Sequence, residues 1–95
     1  MPAPLEIKVI SINSADWTPV VVPFDCSSIA VKNAGSAAVH MRTTSNDAST
    51  EDSLAAGGEQ AFAVPFHRYR FLAGSQPVYL QAVAGTGPVV VKFLA

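Results

Sequence analysis

The chain has 95 residues, a formal net charge of −1, 49% hydrophobic residues and only 14% charged ones. That length holds one hydrophobic core, and a composition this apolar excludes an intrinsically disordered chain. Six Lys and Arg scattered along it do not make the concentrated basic footprint that nucleic-acid binding requires.

In chain order, eight apolar runs stand between Gly, Pro, Asn, Asp and Ser punctuation: Leu5–Ile12, Thr18–Val22, Ser28–Asn33, Ala37–Thr43, Gln60–Val64, His67–Ala73, Pro77–Val83 and Pro88–Leu94. No long segment has helical periodicity. The spacing predicts a single all-β domain over 1–95, a small antiparallel β-sandwich or jelly-roll-like barrel of about seven or eight strands.

In the first run Leu5, Ile7 and Val9 alternate with Glu6 and Lys8, but Ile10 and Ile12 continue the apolar series on the other parity. A β-bulge or change of sheet near Val9–Ile10 is the expected cause. Asn13–Asp16 reads as a turn. Pro19 suits an edge strand or a strand entry, because it cannot donate to a ladder, and Val20, Val21 and Val22 read as a brief buried stretch. Two hairpins are expected. One joins Ile29–Asn33 to Ala37–Arg42 through Ala34-Gly35-Ser36, and the other joins Tyr79–Val83 to Pro88–Phe93 through Ala84-Gly85-Thr86-Gly87. Alternation turns Ile29, Val31, Val39, Met41, Phe62, Phe71, Val89, Val91 and Phe93 inward, and Lys32, His40 and Arg42 outward. The polar stretch Thr43–Glu59 carries Asp47, Glu51, Asp52 and Glu59 and is expected as a long surface loop with a short turn at Ser53–Ala56.

Little here points to reaction chemistry. A copper sandwich would need Cys, His and Met in a ligand loop, yet Cys26 precedes both His40 and His67, and alternation puts His40 and Met41 on opposite faces. Zinc needs three or four convergent ligands. There is no Gly-x-Ser-x-Gly elbow for a nucleophilic serine, and Ala55-Ala56-Gly57-Gly58 lacks the Lys-Ser/Thr of a phosphate loop. Asp47, Glu51 and Asp52 lack the EF-hand spacing. No enzyme activity, metal or cofactor is therefore expected, and Cys26 is expected to be a small buried apolar side chain.

The residues suited to contact are Phe66-His67-Arg68-Tyr69-Arg70-Phe71, where Arg68 and Arg70 stand side by side if Tyr69 and Phe71 face inward. Arg and aromatic residues are favoured at interfaces. Trp17 is a further anchor or a sugar-stacking platform. The acidic residues Asp47, Glu51 and Asp52 are the charge complement of Arg68 and Arg70. The longest apolar stretch, Ala61–Val64, is far short of the ~20 residues that cross a bilayer, so no membrane partner is expected. Met1–Lys8 has neither a basic n-region nor an apolar h-region, so no secretory signal is expected, and folding in the cytoplasm follows.

Ile29-Ala30-Val31-Lys32-Asn33-Ala34-Gly35, Leu54-Ala55-Ala56-Gly57-Gly58-Glu59 and the terminal Gly85–Ala95 resemble small virion structural proteins of tailed bacteriophages. The resemblance is to capsid decoration (cement) proteins and related head or tail accessory proteins. It implies a β-sandwich that assembles in the host cytoplasm as a dimer or trimer with itself and joins the virion by binding the major capsid protein of the outer lattice. A receptor- or carbohydrate-binding module, with a glycan held by Trp17, Tyr69 and Tyr79, is the alternative.

Overall fold

The structure is a computed structural model that describes residues 5–43, 52–63 and 71–95, with Phe62 and Ala63 described in their backbone alone. Among the described residues there are eight strands: β1 (Leu5–Asn13), β2 (Thr18–Val20), β3 (Ser28–Asn33), β4 (Val39–Arg42), β5 (Asp52–Leu54), β6 (Glu59–Ala63), β7 (Val78–Ala82) and β8 (Thr86–Leu94). They form two four-stranded sheets, ordered β1-β8-β3-β6 and β2-β7-β4-β5. Every pairing is antiparallel.

The order follows one rule. β1 pairs with β8, β2 with β7, β3 with β6 and β4 with β5. A chain doubled into one long hairpin and then rolled so that its segments alternate between two sheets gives this arrangement, the jelly roll. Of the two expected forms, a small antiparallel β-sandwich or a jelly-roll-like barrel, the structure is the sandwich, with jelly-roll strand order.

The two expected hairpins are corrected. β3 and β4 lie in opposite sheets, as do β7 and β8, so the turns after Asn33 and after Ala82 carry the chain across the sandwich. Alternation reports which side of a strand faces the core, and both partners of a sheet-to-sheet crossing bury one side just as a hairpin's partners do. The inward residues were therefore right while the neighbours were wrong. The two crossings touch each other. Ala34 N–H donates to Pro88 C=O at 3.2 Å, Val83 N–H donates to Ala38 C=O at 2.9 Å, and a Cβ on Gly35 would sit 3.4 Å from the Cα of Gly87.

The expected irregularity near Val9–Ile10 is also absent. β1 pairs with β8 in one unbroken register from Leu5↔Leu94 to Asn13↔Thr86. Opposed residues share a face, so Glu6, Lys8, Ile10 and Ile12 lie on the side of the buried Phe93, Val91 and Val89. Leu5, Ile7 and Val9 lie on the outer side. The apolar residues change parity because Leu5, Ile7 and Val9 lie on the outer side while Ile10 and Ile12 lie on the core side, and no bulge is needed. β2 ends at Val20; Val22 is buried, whereas Val21 is 45% exposed, so the valine run is not buried throughout.

Within the stretch expected as a loop over 43–59, β5 forms at Asp52–Leu54, paired to β4 through Val39↔Leu54 and Met41↔Asp52. Leu54 enters the core while Asp52 and Ser53 stay exposed. Such a short strand with one apolar residue gives no periodicity to read. Of the run expected over His67–Ala73, only 71–73 are described: Cys26 and Phe71 form a bridge by exchanging N–H to C=O bonds, both at 2.9 Å.

The core between the sheets contains Ile12, Val20, Val22, Cys26, Ile29, Val31, Val39, Met41, Leu54, Val78, Leu80, Ala82, Val89, Val91 and Phe93, with Ile10, Phe24 and Phe71 packed against it. Each full-sized aliphatic or aromatic member contributes about 1.5–3 kcal/mol of burial free energy. The expected inward set agrees, apart from Phe62, whose side chain lies outside the described residues.

Among the described residues one polar side chain joins them. Asn33 is 1% exposed. Its Nδ2 donates to Ala37 C=O at 2.7 Å and to Leu54 C=O at 3.1 Å, and its Oδ1 accepts from Gly35 N–H at 3.0 Å. Its backbone N–H donates to Gly58 C=O at 2.9 Å, and its C=O accepts from Gly57 N–H at 2.8 Å. Asn33 thereby fastens the β3–β4 crossing to the β5–β6 turn, where Gly57 adopts φ 79°, a left-handed conformation costly for a residue with a Cβ.

Candidate contact surfaces

The two outer faces of the sandwich differ in chemistry. On the β1-β8-β3-β6 sheet, the register places Leu5 beside Leu94, Ile7 beside Lys92 and Val9 beside Val90, followed by Ser28, Ala30 and Lys32 on β3. Leu5 is 60%, Ile7 56% and Val9 71% exposed, and Leu94 45%. Single exposed aliphatics are ordinary on protein surfaces, but a contiguous row is not. The charges on this face approach each other, with Lys92 Nζ 3.9 Å from Glu59 Oε2. Both side chains are partly solvated, so that pair contributes little to stability.

On the other sheet, Pro19, Tyr79 and Arg42 are aligned across β2, β7 and β4, and the next row is Gln81, His40 and Ser53. The Arg42 guanidinium lies over the Trp17 ring, 4.4 Å from its centroid, a cation–π contact. His40 Nδ1 is 3.3 Å from Ser53 Oγ, and Tyr79 Oη donates to Gln76 Oε1 at 3.1 Å. This face is polar and aromatic.

Of the contact residues expected from sequence, Trp17 is half-buried at the polar face, and one of its ring faces is covered by Arg42. Asp52 is an exposed residue of edge strand β5, its Oδ1 accepting from Ser53 N–H at 2.8 Å. Asp47, Glu51, Arg68, Tyr69 and Arg70 lie outside the described residues. Cys26 is fully buried, and among the described residues no three of His, Cys, Asp or Glu form a group that could hold a metal ion.

The row Leu5, Ile7 and Val9 was missed as a surface because an alternating apolar strand reads as core-facing. The signal was present in the phase slip at Val9–Ile10. A strand whose apolar residues change parity while its register stays unbroken must present apolar side chains on both faces.

No family model and no curated protein matches the chain. Among solved structures it is similar to a functionally unknown conserved protein mutant from Bacillus anthracis str. Ames, at 16% identity and a TM-score of 0.39, over 93% of this chain and 21% of that one. The chain thus spans about a fifth of the length of that protein. A likeness at this level carries no argument, and the fold rests on its own strand order.

Proposed function

We propose that this protein is a non-enzymatic virion structural protein, a capsid decoration or cement protein that works by being covered: it associates with itself and binds the outer lattice of the major capsid protein. The observation that carries the reading is the exposed aliphatic row Leu5, Ile7, Val9 and Leu94 on one sheet face, in a chain with only 14% charged residues. Apolar area of this kind favours burial against protein. The phage resemblance of the strand and turn segments supplies the partner. Jelly rolls serve capsids and lectins alike, so the fold itself favours neither.

Co-sedimentation with capsids assembled from the major capsid protein tests the proposal. The protein pellets with capsids, and Ile7→Lys with Val9→Lys abolishes this without unfolding it. A protein that stays in the supernatant at every concentration and salt refutes the reading.

The second reading, a receptor- or carbohydrate-binding module, draws on Trp17, Tyr79, His40 and Gln81 at the polar face. It is the weaker one, because the Arg42 guanidinium occupies a ring face of Trp17 on which a sugar would stack. A glycan array with a saturable hit lost in Trp17→Ala would favour it.

A further inference from the structure

The four edge strands of the two sheets are β1, β6, β2 and β5. Edges invite pairing with other chains unless they are short, charged or interrupted by Pro. β2 has three residues and contains Pro19. β5 also has three, with Asp52 opposite Met41 on the core-facing side. β6 has five and exposes Glu59 and Gln60. β1 is different: it is nine residues long, regular in register throughout, and exposes Leu5, Ile7 and Val9.

The charges on β1 do not block it against a second copy of itself. The segment reads Leu5-Glu6-Ile7-Lys8-Val9. In an antiparallel pair centred on Ile7, Glu6 of each strand stands opposite Lys8 of the other. Ile7 then meets Ile7, and Leu5 meets Val9. Both charge pairs fall on the core-facing side and the apolar contacts all fall on the outer side. Moving the centre to Glu6 opposes two glutamates, and moving it to Lys8 opposes two lysines. A slip of one residue in the pairing turns the partner's apolar row to the opposite face. One register alone satisfies charge and apolar matching together, and opposed like charges disfavour its neighbours.

We propose that two copies of this protein pair through their β1 edges about a twofold axis at Ile7, joining the two β1-β8-β3-β6 sheets into one continuous eight-stranded sheet. The occupant of this edge is a second copy because the strand is its own charge complement. Such an isologous, closed contact removes the longest described free edge. It also doubles the aliphatic face: the rows of Leu5, Ile7 and Val9 from the two copies become adjacent strands of one surface. This rests on the reading that the protein acts by assembly, and it commits that reading to a dimer.

The test is sedimentation velocity on the full chain over a concentration series, with no capsid present and with circular dichroism to verify folding. Wild type sediments as a dimer. Glu6→Lys and Lys8→Glu each replace two attractive cross-strand pairs by two repulsive ones and weaken the dimer by about tenfold or more. The double exchange Glu6→Lys with Lys8→Glu restores it, and a mixture of the two single variants forms a heterodimer. Rescue of that kind cannot come from a variant that merely unfolds. A wild type that remains monomeric at its highest soluble concentration overturns the pairing. So does a dimer or trimer indifferent to both single substitutions, or a double exchange that fails to restore association. A protein that dimerises in this register yet ignores capsids leaves the pairing standing and overturns the virion reading. Capsid binding by a wild-type monomer does the reverse.

Discussion

Replacement of Asn33 tests whether one buried polar side chain holds two connections of the jelly roll together. Asn33→Ala removes two donated hydrogen bonds, to Ala37 and Leu54, and one accepted from Gly35. Each bond contributes about 0.5–1.5 kcal/mol net, and a buried group left without a partner costs about 1–3 kcal/mol. The bond to Leu54 is buried and the other two part-buried, so water replaces some of what is lost and the sum comes to about 3–5 kcal/mol. A domain of this size has only about 5–14 kcal/mol in total. A loss of about 3 kcal/mol lowers Tm by about 12–24 °C in a chain of this length.

Asn33→Asp keeps the size and the acceptor for Gly35 but sets a buried carboxylate against two carbonyl oxygens, so it should cost at least as much at neutral pH. Urea unfolding followed by circular dichroism measures both. Native-state hydrogen exchange should speed up first at Gly57 and Gly35, whose N–H groups donate to Asn33. If both variants remain within about 0.5 kcal/mol of wild type, the range of an ordinary surface change, Asn33 is not the joint described here.

Two further substitutions probe the core. Val91 is fully buried, and Val91→Asp should cost several kcal/mol by burying an unpaired carboxylate, enough to lose the cooperative thermal transition; a retained, native-like transition would place Val91 elsewhere. Cys26 is also fully buried, and Cys26→Ala should cost about 1 kcal/mol, within the usual range for a single substitution, and change no metal content; stoichiometric zinc or copper in wild-type protein that disappears in the variant would contradict a purely packing role.

Period-two alternation and the placing of turn residues are local properties, and they were legible in the chain. They determined an all-β domain, the approximate bounds of β1, β3, β6, β7 and β8, and the inward sides of Ile29, Val31, Val39, Met41, Val89, Val91 and Phe93. The missing N–H of Pro19 left an edge strand or a strand entry, and β2 is an edge strand. Which strands lie side by side was decided only in three dimensions. A short turn after an alternating strand serves a hairpin or a sheet-to-sheet crossing equally well, and the crossings after Asn33 and Ala82 depend on contacts between segments far apart in the chain. β5 exists because β4 offers it a ladder and Asn33 Nδ2 donates to Leu54 C=O, neither of which is written in Asp52-Ser53-Leu54. The aliphatic row on β1 was visible as residues, but its side was not: which parity meets the core is set by the register with β8, at the other end of the chain.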